Sequence, residues 1–298
     1  MNKFVIIGGM PRSGTNLTRR IIGSHSKIAI PPAEFQFFSQ YANGKSVTDI
    51  LTHERLERWR VDLSDLCSQE HREAFITALA RYTENAGKEI PGEKTPNNEF
   101  YYDIIQEWLS DFELKFVHVV RNPFDTMASF KHFHQDNRRQ GDYPGLPAHS
   151  RNWVRSTSMG LARAHNNPRG YYLLKYEDLA TDPTSTTQDL CAFLGVDFER
   201  ERMLNLSDFQ GRRDNTSFPQ DRGAEHEGYA AIRKPESRKH YLTDAQVHIV
   251  SSICGELAHA LGYDDDDFGP SFPEHTDLGI IKRLSQAVRN LVPFTSIY

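Results

Sequence analysis

The sequence is poor in cysteine, lacks a long apolar run and has no excess of basic charge. Its three cysteines, Cys67, Cys191 and Cys254, are widely spaced and odd in number, which argues against a disulfide framework and a cysteine-based metal site. No apolar stretch approaches the length of a membrane span, and the first residues have the pattern of a core strand, not of a signal peptide. Basic residues number 35 against 40 acidic ones, so the net charge of −5 offers no general field for nucleic acid. We therefore expect a cytoplasmic protein in which anion binding is local.

The order of strand and helix signals predicts an α/β fold. Short apolar strands alternate with helical spacing along 298 residues, a length that suits one large α/β domain. We expect three layers, with a central parallel sheet, helices on both faces and a P-loop-like first unit. Within a single domain of residues 1–298, the spacing predicts a helical cap around residues 47–86 and an amphipathic helix around residues 278–291. The oligomeric state is left open.

The first strand, turn and helix are predicted to form an anion site. An apolar run from Phe4 to Ile7 enters a turn that contains glycine, and helical spacing follows from Leu17 to Ile22. Such a unit directs several backbone N–H groups and the positive end of the helix dipole toward one point. The ligand that suits this point is a phosphate or another tetrahedral oxyanion.

The turn differs from a nucleotide kinase P-loop in an informative way. Gly9 and Gly14 have the G-x-x-x-x-G spacing, but Thr15 and Asn16 stand where a kinase needs Lys and Ser or Thr. The cation lies within the turn instead, as Arg12, whose planar guanidinium suits two oxygens of one anion. The alternative to an anion site is an ordinary glycine turn of an α/β protein that carries a surface arginine.

A second anion site is predicted at the end of a later strand. Residues 114–120 have the pattern of a buried parallel strand, and Arg121 follows directly. Pro123 suits the first turn of the next helix, and Ser129 lies about two turns along it. Open α/β sheets bind ligands at the carboxyl ends of their strands, so this site is expected at the same edge as the first.

Other segments carry weaker signals. Glu34 follows two prolines and stands among three phenylalanines, so it is either a solvated turn residue or a general base with apolar neighbours. Residues 131–147 are rich in His, Arg, Gln and Gly and are predicted to form a mobile loop. Its His132 and His134 lack a third ligand at a recognisable spacing, which favours solvated histidines over a metal site.

Taken together, these motifs resemble those of the sulfotransferases that use 3′-phosphoadenosine 5′-phosphosulfate (PAPS). The matching segments are Pro11-Arg12-Ser13-Gly14-Thr15-Asn16, Arg121-Asn122-Pro123-x-Asp125-x-x-x-Ser129, Tyr176-Glu177-Asp178-Leu179 and Asn215-Thr216-Ser217-Phe218. The resemblance implies PAPS as the sulfuryl donor and no metal. The donor-binding residues that it implies are Arg12, Ser13, Gly14, Thr15, Asn16, Arg121, Ser129, Tyr176, Ser217 and Arg233.

The acceptor side departs from one branch of that family. Small-molecule sulfotransferases carry Lys-Thr-His with the His as base, whereas here Pro96 follows Lys94 and Thr95. Protein-tyrosine and carbohydrate sulfotransferases place a Glu after the first helix, and Glu34 is close to that position. The resemblance therefore implies Glu34 as the base, Lys94 and Arg12 as catalytic cations, and a hydroxyl acceptor on a small molecule, a sugar or a tyrosyl peptide.

Two other functions remain open from the sequence. A nucleotide kinase-like phosphotransferase would share the architecture, but it would need the lysine that Thr15 replaces. A non-catalytic nucleotide-binding protein of the same fold would keep the anion sites without using Glu34 or Lys94. A histidine from residues 131–147 is the alternative to Glu34 as base.

Overall fold

Five parallel strands form the centre of the protein in the computed structural model, which describes residues 2–136, 145–205 and 237–263. The strand order is β2-β3-β1-β4-β5, and each neighbouring pair is parallel. The strands are β1 Lys3–Gly9, β2 Ile28–Ala29, β3 Ile90–Lys94, β4 Glu113–Val120 and β5 Tyr171–Lys175. The predicted α/β class with a central parallel sheet is confirmed.

Both faces of the sheet are covered, because alternate residues of its strands point to opposite sides. On β1, Phe4 and Ile6 belong to one apolar cluster, whereas Val5 and Ile7 belong to another, and all four are fully buried. An apolar run in a parallel strand is therefore read correctly as a strand buried on both faces. The predicted arrangement of three layers is confirmed.

The first face is covered by short helices rich in aromatic residues. They are α2 Phe37–Ala42, α3 Val47–Leu51, 3-10 helices Glu54–Trp59 and Ser64–Ser68, α4 His71–Asn85, the 3-10 helix Asn98–Tyr101 and α5 Tyr102–Trp108. Phe35, Trp59 and Phe75 meet near their centre, with ring centroids 4.7 Å apart for Phe35–Trp59 and 5.7 Å for Phe35–Phe75. Those from α3 to α4, residues 47–85, occupy the segment predicted as a cap.

The opposite face carries helices α1 Thr15–Ser24, α8 Tyr176–Thr181, α9 Pro183–Leu194 and α10 Arg200–Leu204. Helix α9 shows clear start and stop signals. The Asp182 side chain accepts a hydrogen bond from the Ser185 amide at 3.1 Å, Pro183 occupies the first turn, and Gly195 ends the helix with φ 67°. These signals fix both ends of the helix.

Three further helices share an apolar cluster with Met10, which follows β1, and Val120, which ends β4: α6 Pro123–Asp136, α7 Leu146–Asn166 and α11 Asp244–Ala260. The predicted mobile loop over residues 131–147 is wrong for its described ends, since α6 continues to Asp136 and α7 starts at Leu146. The Lys131 amino group donates to the carbonyl of Tyr241 at 2.9 Å and to Gln246 at 2.8 Å. The partners that hold this polar end of α6 lie more than a hundred residues away in the sequence, so local composition does not reveal them.

Two predictions concern parts of the chain that the structure does not describe. The amphipathic helix around residues 278–291 lies outside the described residues, so it and the single domain of residues 1–298 stay predictions.

In the described ranges, no helix is long and apolar enough to cross a membrane. The same ranges contain no group of three His, Cys, Asp or Glu side chains placed to hold a metal ion.

Candidate active site

The turn after β1, residues 9–14 and hereafter the first turn, depends on glycine at both ends. Gly9 has φ 128°, and a Cβ there would lie 2.4 Å from the Val119 carbonyl oxygen. Gly14 has φ 105°, and its Cβ would lie 2.3 Å from the Tyr176 ring. Because only glycine adopts these angles without strain and leaves this space, the first turn is a tight backbone loop seated against Tyr176.

The first turn presents donors at the start of a helix. The Ser13 amide donates to the Met10 carbonyl at 3.1 Å, and α1 begins at Thr15. The Ser13 hydroxyl is buried and has no hydrogen-bond partner among the described residues. A buried polar atom without a partner costs free energy, so it suits a ligand oxygen at this position.

The end of β4 is fixed by contacts from two other segments. The Arg121 carbonyl accepts a hydrogen bond from the Trp153 indole at 2.8 Å, and the Asn122 amide donates to Glu177 at 2.9 Å. The Asn122 side chain in turn accepts the Phe124 amide at 2.9 Å, which begins α6. The strand end that presents Arg121 is therefore rigid.

The Arg121 guanidinium lies over the Tyr176 ring, 4.5 Å from its centroid, and is buried. One nitrogen lies 3.5 Å from Asp125, and another lies 3.4 Å from the Arg12 carbonyl. Its Nε has no partner among the described residues. Tyr176 thus touches both Gly14 and Arg121, as expected for an aromatic residue between the two anion elements.

The two predicted anion sites are in direct contact. The Arg12 Nε donates to the Ser129 hydroxyl at 3.1 Å, although the sequence assigned these residues to different sites. Burial lowers the pKa of Arg12 to about 10, with a smaller effect from the nearby cations Arg121 and Arg238. We call Arg12, Arg121, Ser129 and Tyr176 the arginine cluster. The first turn reaches the fourth strand because β1 and β4 are adjacent.

Two residues that the sequence did not assign also belong here. Asp125 lies one helical turn after Arg121, and its second oxygen accepts the Arg238 amide at 2.7 Å. Asp125 could have been found from its place in the 121–129 motif. Arg238 follows a stretch with little periodicity, and only the tertiary contact identifies it. Of the other predicted donor residues, Thr15 and Asn16 start α1, whereas Ser217 and Arg233 lie outside the described residues.

The second part of the site is the Glu34–Lys94 pair. The Lys94 amino group donates to the Glu34 carboxylate at 2.5 Å. The Lys94 side chain is 2% exposed and that of Glu34 is 33% exposed, so solvent reaches the carboxylate but hardly the ammonium. Lys94 pairs with Ile7 in the sheet, just before the first turn. The ends of β3, β1 and β4 thus bring the pair and the arginine cluster to one edge.

The surroundings of Glu34 differ from those expected. Its phenylalanine neighbours Phe35, Phe37 and Phe38 are buried in the apolar core of the cap, so they do not enclose the carboxylate. Instead Glu34 accepts a hydrogen bond from the Gln36 side chain at 3.3 Å and is close enough to Arg55 for their charges to attract.

The segment that carries Glu34 is held by two backbone contacts. The Gln36 amide donates to the Thr95 hydroxyl at 3.0 Å, and the Trp59 indole donates to the Ala33 carbonyl at 3.2 Å. Gln36 has φ 56°, an uncommon angle for a residue with a side chain. The contacts from β3 and the cap therefore place Glu34 beside Lys94.

Burial perturbs both charged residues at the end of β3. Burial lowers the pKa of Lys94, and the attraction of Glu34 opposes this effect. Burial also raises the pKa of the neighbouring Glu93 to about 7, although Thr95 and Asn98 donate hydrogen bonds to it. The sequence did not assign Glu93 a role.

The structure describes the side chain of one of the two alternative histidines. His132 lies on α6 with its ring 5.8 Å from that of Tyr241, and the side chain of His134 is not among those described. The arrangement as a whole combines buried cations for oxyanions with a solvent-accessible carboxylate near a buried ammonium. Such a set can bind an anionic donor and remove a proton from an acceptor.

Comparison with known proteins agrees with this chemistry. Residues 5–200 match the model of the sulfotransferase family. No curated protein matches the sequence. Among solved structures, the sulfotransferase domain of the Synechococcus PCC 7002 olefin synthase has a TM-score of 0.54 at 20% identity, covering 98% of this chain and 96% of that one.

Two other solved structures share the fold. The sulfotransferase domain of the curacin biosynthetic pathway has a TM-score of 0.53 at 18% identity, and the match covers 98% of this chain and 99% of that one. A mouse sulfotransferase complexed with PAP (3′-phosphoadenosine 5′-phosphate) has a TM-score of 0.51 at 13% identity, covering 97% and 90%.

Proposed function

This chain belongs to the sulfotransferase family, and from that premise we propose that it transfers the sulfuryl group of PAPS to a hydroxyl acceptor by in-line displacement. Glu34 is the general base, and Arg12 and Lys94 stabilise the departing phosphate. The observation that carries the proposal is the arginine cluster at the carboxyl ends of β1 and β4, in which Arg121 is buried and Arg12 half-buried. Beside it, the Ser13 hydroxyl has no hydrogen-bond partner among the described residues, and neither has the Arg121 Nε.

The donor set fits a nucleotide with phosphate groups at two positions of one ribose. The Ser13 hydroxyl and the Arg121 Nε are buried without partners in the described part of the chain, and each can donate to an oxyanion. The first turn adds amides and the start of α1, and Arg12 adds a second guanidinium. Tyr176 offers a ring between them. We propose that Arg121 and Ser129 hold the 3′-phosphate and that residues 12–16 hold the phosphosulfate.

Charge neutralisation explains why the chemistry suits this site. In-line sulfuryl transfer leaves negative charge on the bridging oxygen, and fixed cations stabilise that charge more in the transition state than in the ground state. Lys94 is buried and lies near the first turn, so it can contribute this charge once its ion pair with Glu34 opens. Lys94 can release the Glu34 carboxylate when the departing phosphate takes its place beside the ammonium.

Glu34 is suited to the role of base by its position. Its carboxylate is partly exposed, so an acceptor hydroxyl can reach it, whereas Lys94 behind it is not accessible. Once the acceptor proton has moved to Glu34, the oxygen can attack sulfur. The acceptor is a hydroxyl compound, and small molecules, sugars and tyrosyl peptides are the classes to test.

Calorimetry with nucleotides tests the donor assignment. We expect PAP to bind at least about tenfold more tightly than AMP, ADP or ATP–Mg²⁺, because only PAP provides an anion for both elements. Equal affinity for AMP and PAP would refute the 3′-phosphate site, and preference for ATP–Mg²⁺ would favour a phosphotransferase.

Turnover with labelled PAPS tests the reaction itself. The screen should cover alcohols, phenols, sugars and tyrosyl peptides, each with and without EDTA. We expect transfer to at least one class, unaffected by EDTA, because the described residues include no ligand cluster for a metal. Tight PAP binding without transfer to any acceptor would favour the non-catalytic alternative.

A further inference from the structure

The first peptide of the first turn is held from below by residues 97–99. The Gly9 amide donates to the Glu99 Oε2 at 2.7 Å, and the Gly9 carbonyl accepts the Asn97 amide at 2.9 Å. Glu99 is fully buried, and a Cβ on Gly8 would lie 3.1 Å from its Oε2. The carboxyl group therefore supports the point where β1 becomes the turn.

The other oxygen of Glu99 begins a chain of buried polar groups. Its Oε1 accepts the Ser156 hydroxyl at 2.7 Å, and Ser156 lies 3.1 Å from the His118 Nε2. The His118 Nδ1 lies 2.8 Å from the Tyr171 hydroxyl. These four side chains come from the 3-10 helix Asn98–Tyr101, α7, β4 and β5, and each is at most 1% exposed.

This chain of contacts can form with either protonation state of Glu99. When Glu99 is ionised, Ser156 donates to it, His118 donates from Nε2 to Ser156, and Tyr171 donates to Nδ1. When Glu99 carries a proton on Oε1, it donates to Ser156, and Ser156 donates to the His118 Nε2. His118 then changes tautomer and donates from Nδ1 to the Tyr171 oxygen. The two states differ by one proton, which resides on Glu99. In both states Oε2 accepts the Gly9 amide.

We propose that Glu99 is a positioning residue that holds the first turn through Gly9 and takes up a proton from solvent when the anionic donor binds. This inference rests on the proposed function. A carboxylate directly beneath an anion site opposes the donor, and the reversible hydrogen-bond chain removes that charge without moving the turn. Proton uptake and donor binding therefore favour each other.

Within this hydrogen-bond chain, Glu99 is the group that titrates. Arg163 of α7 donates to the Glu99 backbone carbonyl and pairs with Asp103 of α5 at 3.1 Å. Burial lowers the pKa of His118 to about 3, and burial raises that of Tyr171 well above its usual value, so both stay neutral near pH 7. Burial also raises the pKa of Glu99 itself, which favours its protonated form. On β1, Gly8 and Gly9 contribute no side chain.

Calorimetric titration of PAP into the full chain tests the proposal. Measurements between about pH 6 and 8.5, in buffers of different ionisation enthalpy, give the protons taken up per PAP bound. Wild type should take up more protons than Glu99→Gln at the pH where free Glu99 is ionised. Because glutamine is uncharged and its amide oxygen can still accept the Gly9 amide, PAP affinity should stay within about threefold or become tighter. Glu99→Leu, which cannot accept that amide, should weaken PAP binding by about tenfold or more.

Glu93→Gln is the matched control, because Glu93 is equally buried but bonds to Thr95 and Asn98 instead of the turn. It should keep the proton uptake of wild type. If uptake disappears in Glu93→Gln and persists in Glu99→Gln, the proposal is overturned.

A second measurement does not depend on PAP or on the stability of Glu99→Leu. The Gly9 amide resonance in the free protein should shift with pH in wild type and stay constant in Glu99→Gln. A protein that binds no PAP at any pH refutes the proposed function and this inference with it. Binding of PAP with equal proton uptake by wild type and Glu99→Gln, together with a Gly9 resonance independent of pH, refutes this inference alone.

Discussion

The arginine cluster and the Glu34–Lys94 pair hold positive charge in opposite ways. In the cluster, Arg121 lies close enough to Arg12 to disfavour the charge of Arg12, and the Asp125 carboxylate lies 3.5 Å from Arg121. In the pair, Lys94 has a carboxylate at 2.5 Å and is almost inaccessible to solvent. The cluster is therefore short of negative charge, whereas the pair is already neutral.

This difference separates two tasks that the site must perform. A region with excess positive charge gains free energy when an anion binds, so it favours donor affinity. A neutral pair gains little from donor binding, and it contributes when its members separate during the reaction. Substitutions in the cluster should therefore change binding, and substitutions in the pair should change turnover.

The strongest test of this division is Glu34→Gln. The amide keeps the shape of the carboxylate but cannot take a proton, so we expect kcat to fall by about 10²–10⁴-fold with little change in PAP affinity. Glu54→Gln, on the exposed surface of the same cap, is the control and should resemble wild type. Near-normal turnover by Glu34→Gln would transfer the role of base to a histidine, with His132 and His134 the first to substitute.

The cluster is tested by Arg121→Ala and Arg12→Ala. Each removes a charge-assisted contact, so calorimetry should show a loss of PAP affinity on the order of 1.5–3 kcal/mol. Only Arg12→Ala should also lower kcat, since we assign it to the group whose charge changes during transfer. Arg200→Ala, at an exposed position, is the control. Unchanged PAP affinity in Arg121→Ala would show that the second anion site is wrongly assigned.

The sequence predicted the cluster better than the pair, and the reason is physical. The turn of residues 9–14 and the end of β4 follow local rules for glycine, proline and strand-to-helix turns, so their residues could be named before their contacts were known. The central parallel sheet followed from apolar runs such as residues 114–120. Glu34 and Lys94 were also named, but as separate residues.

What the sequence could not predict depends on distant contacts. The direct bond between Arg12 and Ser129 joins residues 117 positions apart. The extension of α6 past residue 130 depends on Tyr241 and Gln246, and the phenylalanines beside Glu34 turn into the cap instead of enclosing it. Local composition cannot distinguish these outcomes, because burial and partner choice are decided by tertiary packing.

The role of Lys94 in the pair is tested by kcat and by the pH dependence of kcat. Lys94→Ala should lower kcat by about 10–100-fold, because the departing phosphate loses a cation. Since burial lowers the pKa of Lys94, the protonated form is lost as pH rises through a value below that of an ordinary lysine. Wild-type kcat should therefore fall on the alkaline side, and Lys94→Arg should move that fall to higher pH. A kcat profile identical in Lys94→Arg and wild type would contradict this role.

A smaller effect is expected from Glu93, the neighbour of Lys94, on the free energy of unfolding. Burial raises the pKa of Glu93 from 4.5 to about 7, so the folded state binds a proton that the unfolded state has lost. The stabilisation from this proton is complete below about pH 4.5 and is lost as pH rises to about 7. Relative to Glu93→Gln, the free energy of unfolding of wild type should fall across this range by at most about 1.4 kcal/mol per pH unit. Chemical denaturation at several pH values measures it, and parallel profiles would contradict the raised pKa.

The two indole hydrogen bonds give the protein its own optical probes. Trp153 donates to the backbone of Arg121 at 2.8 Å, and Trp59 donates to the backbone of Ala33, the residue before Glu34, at 3.2 Å. Indole emission responds to nearby charge and to the strength of its N–H hydrogen bond. The emission of Trp153 should therefore report changes at the arginine cluster, and that of Trp59 should report changes at the Glu34–Lys94 pair. Trp59→Phe or Trp153→Phe, each combined with Trp108→Phe, leaves one fluorophore, so donor arrival and opening of the pair become separate signals in a stopped-flow trace.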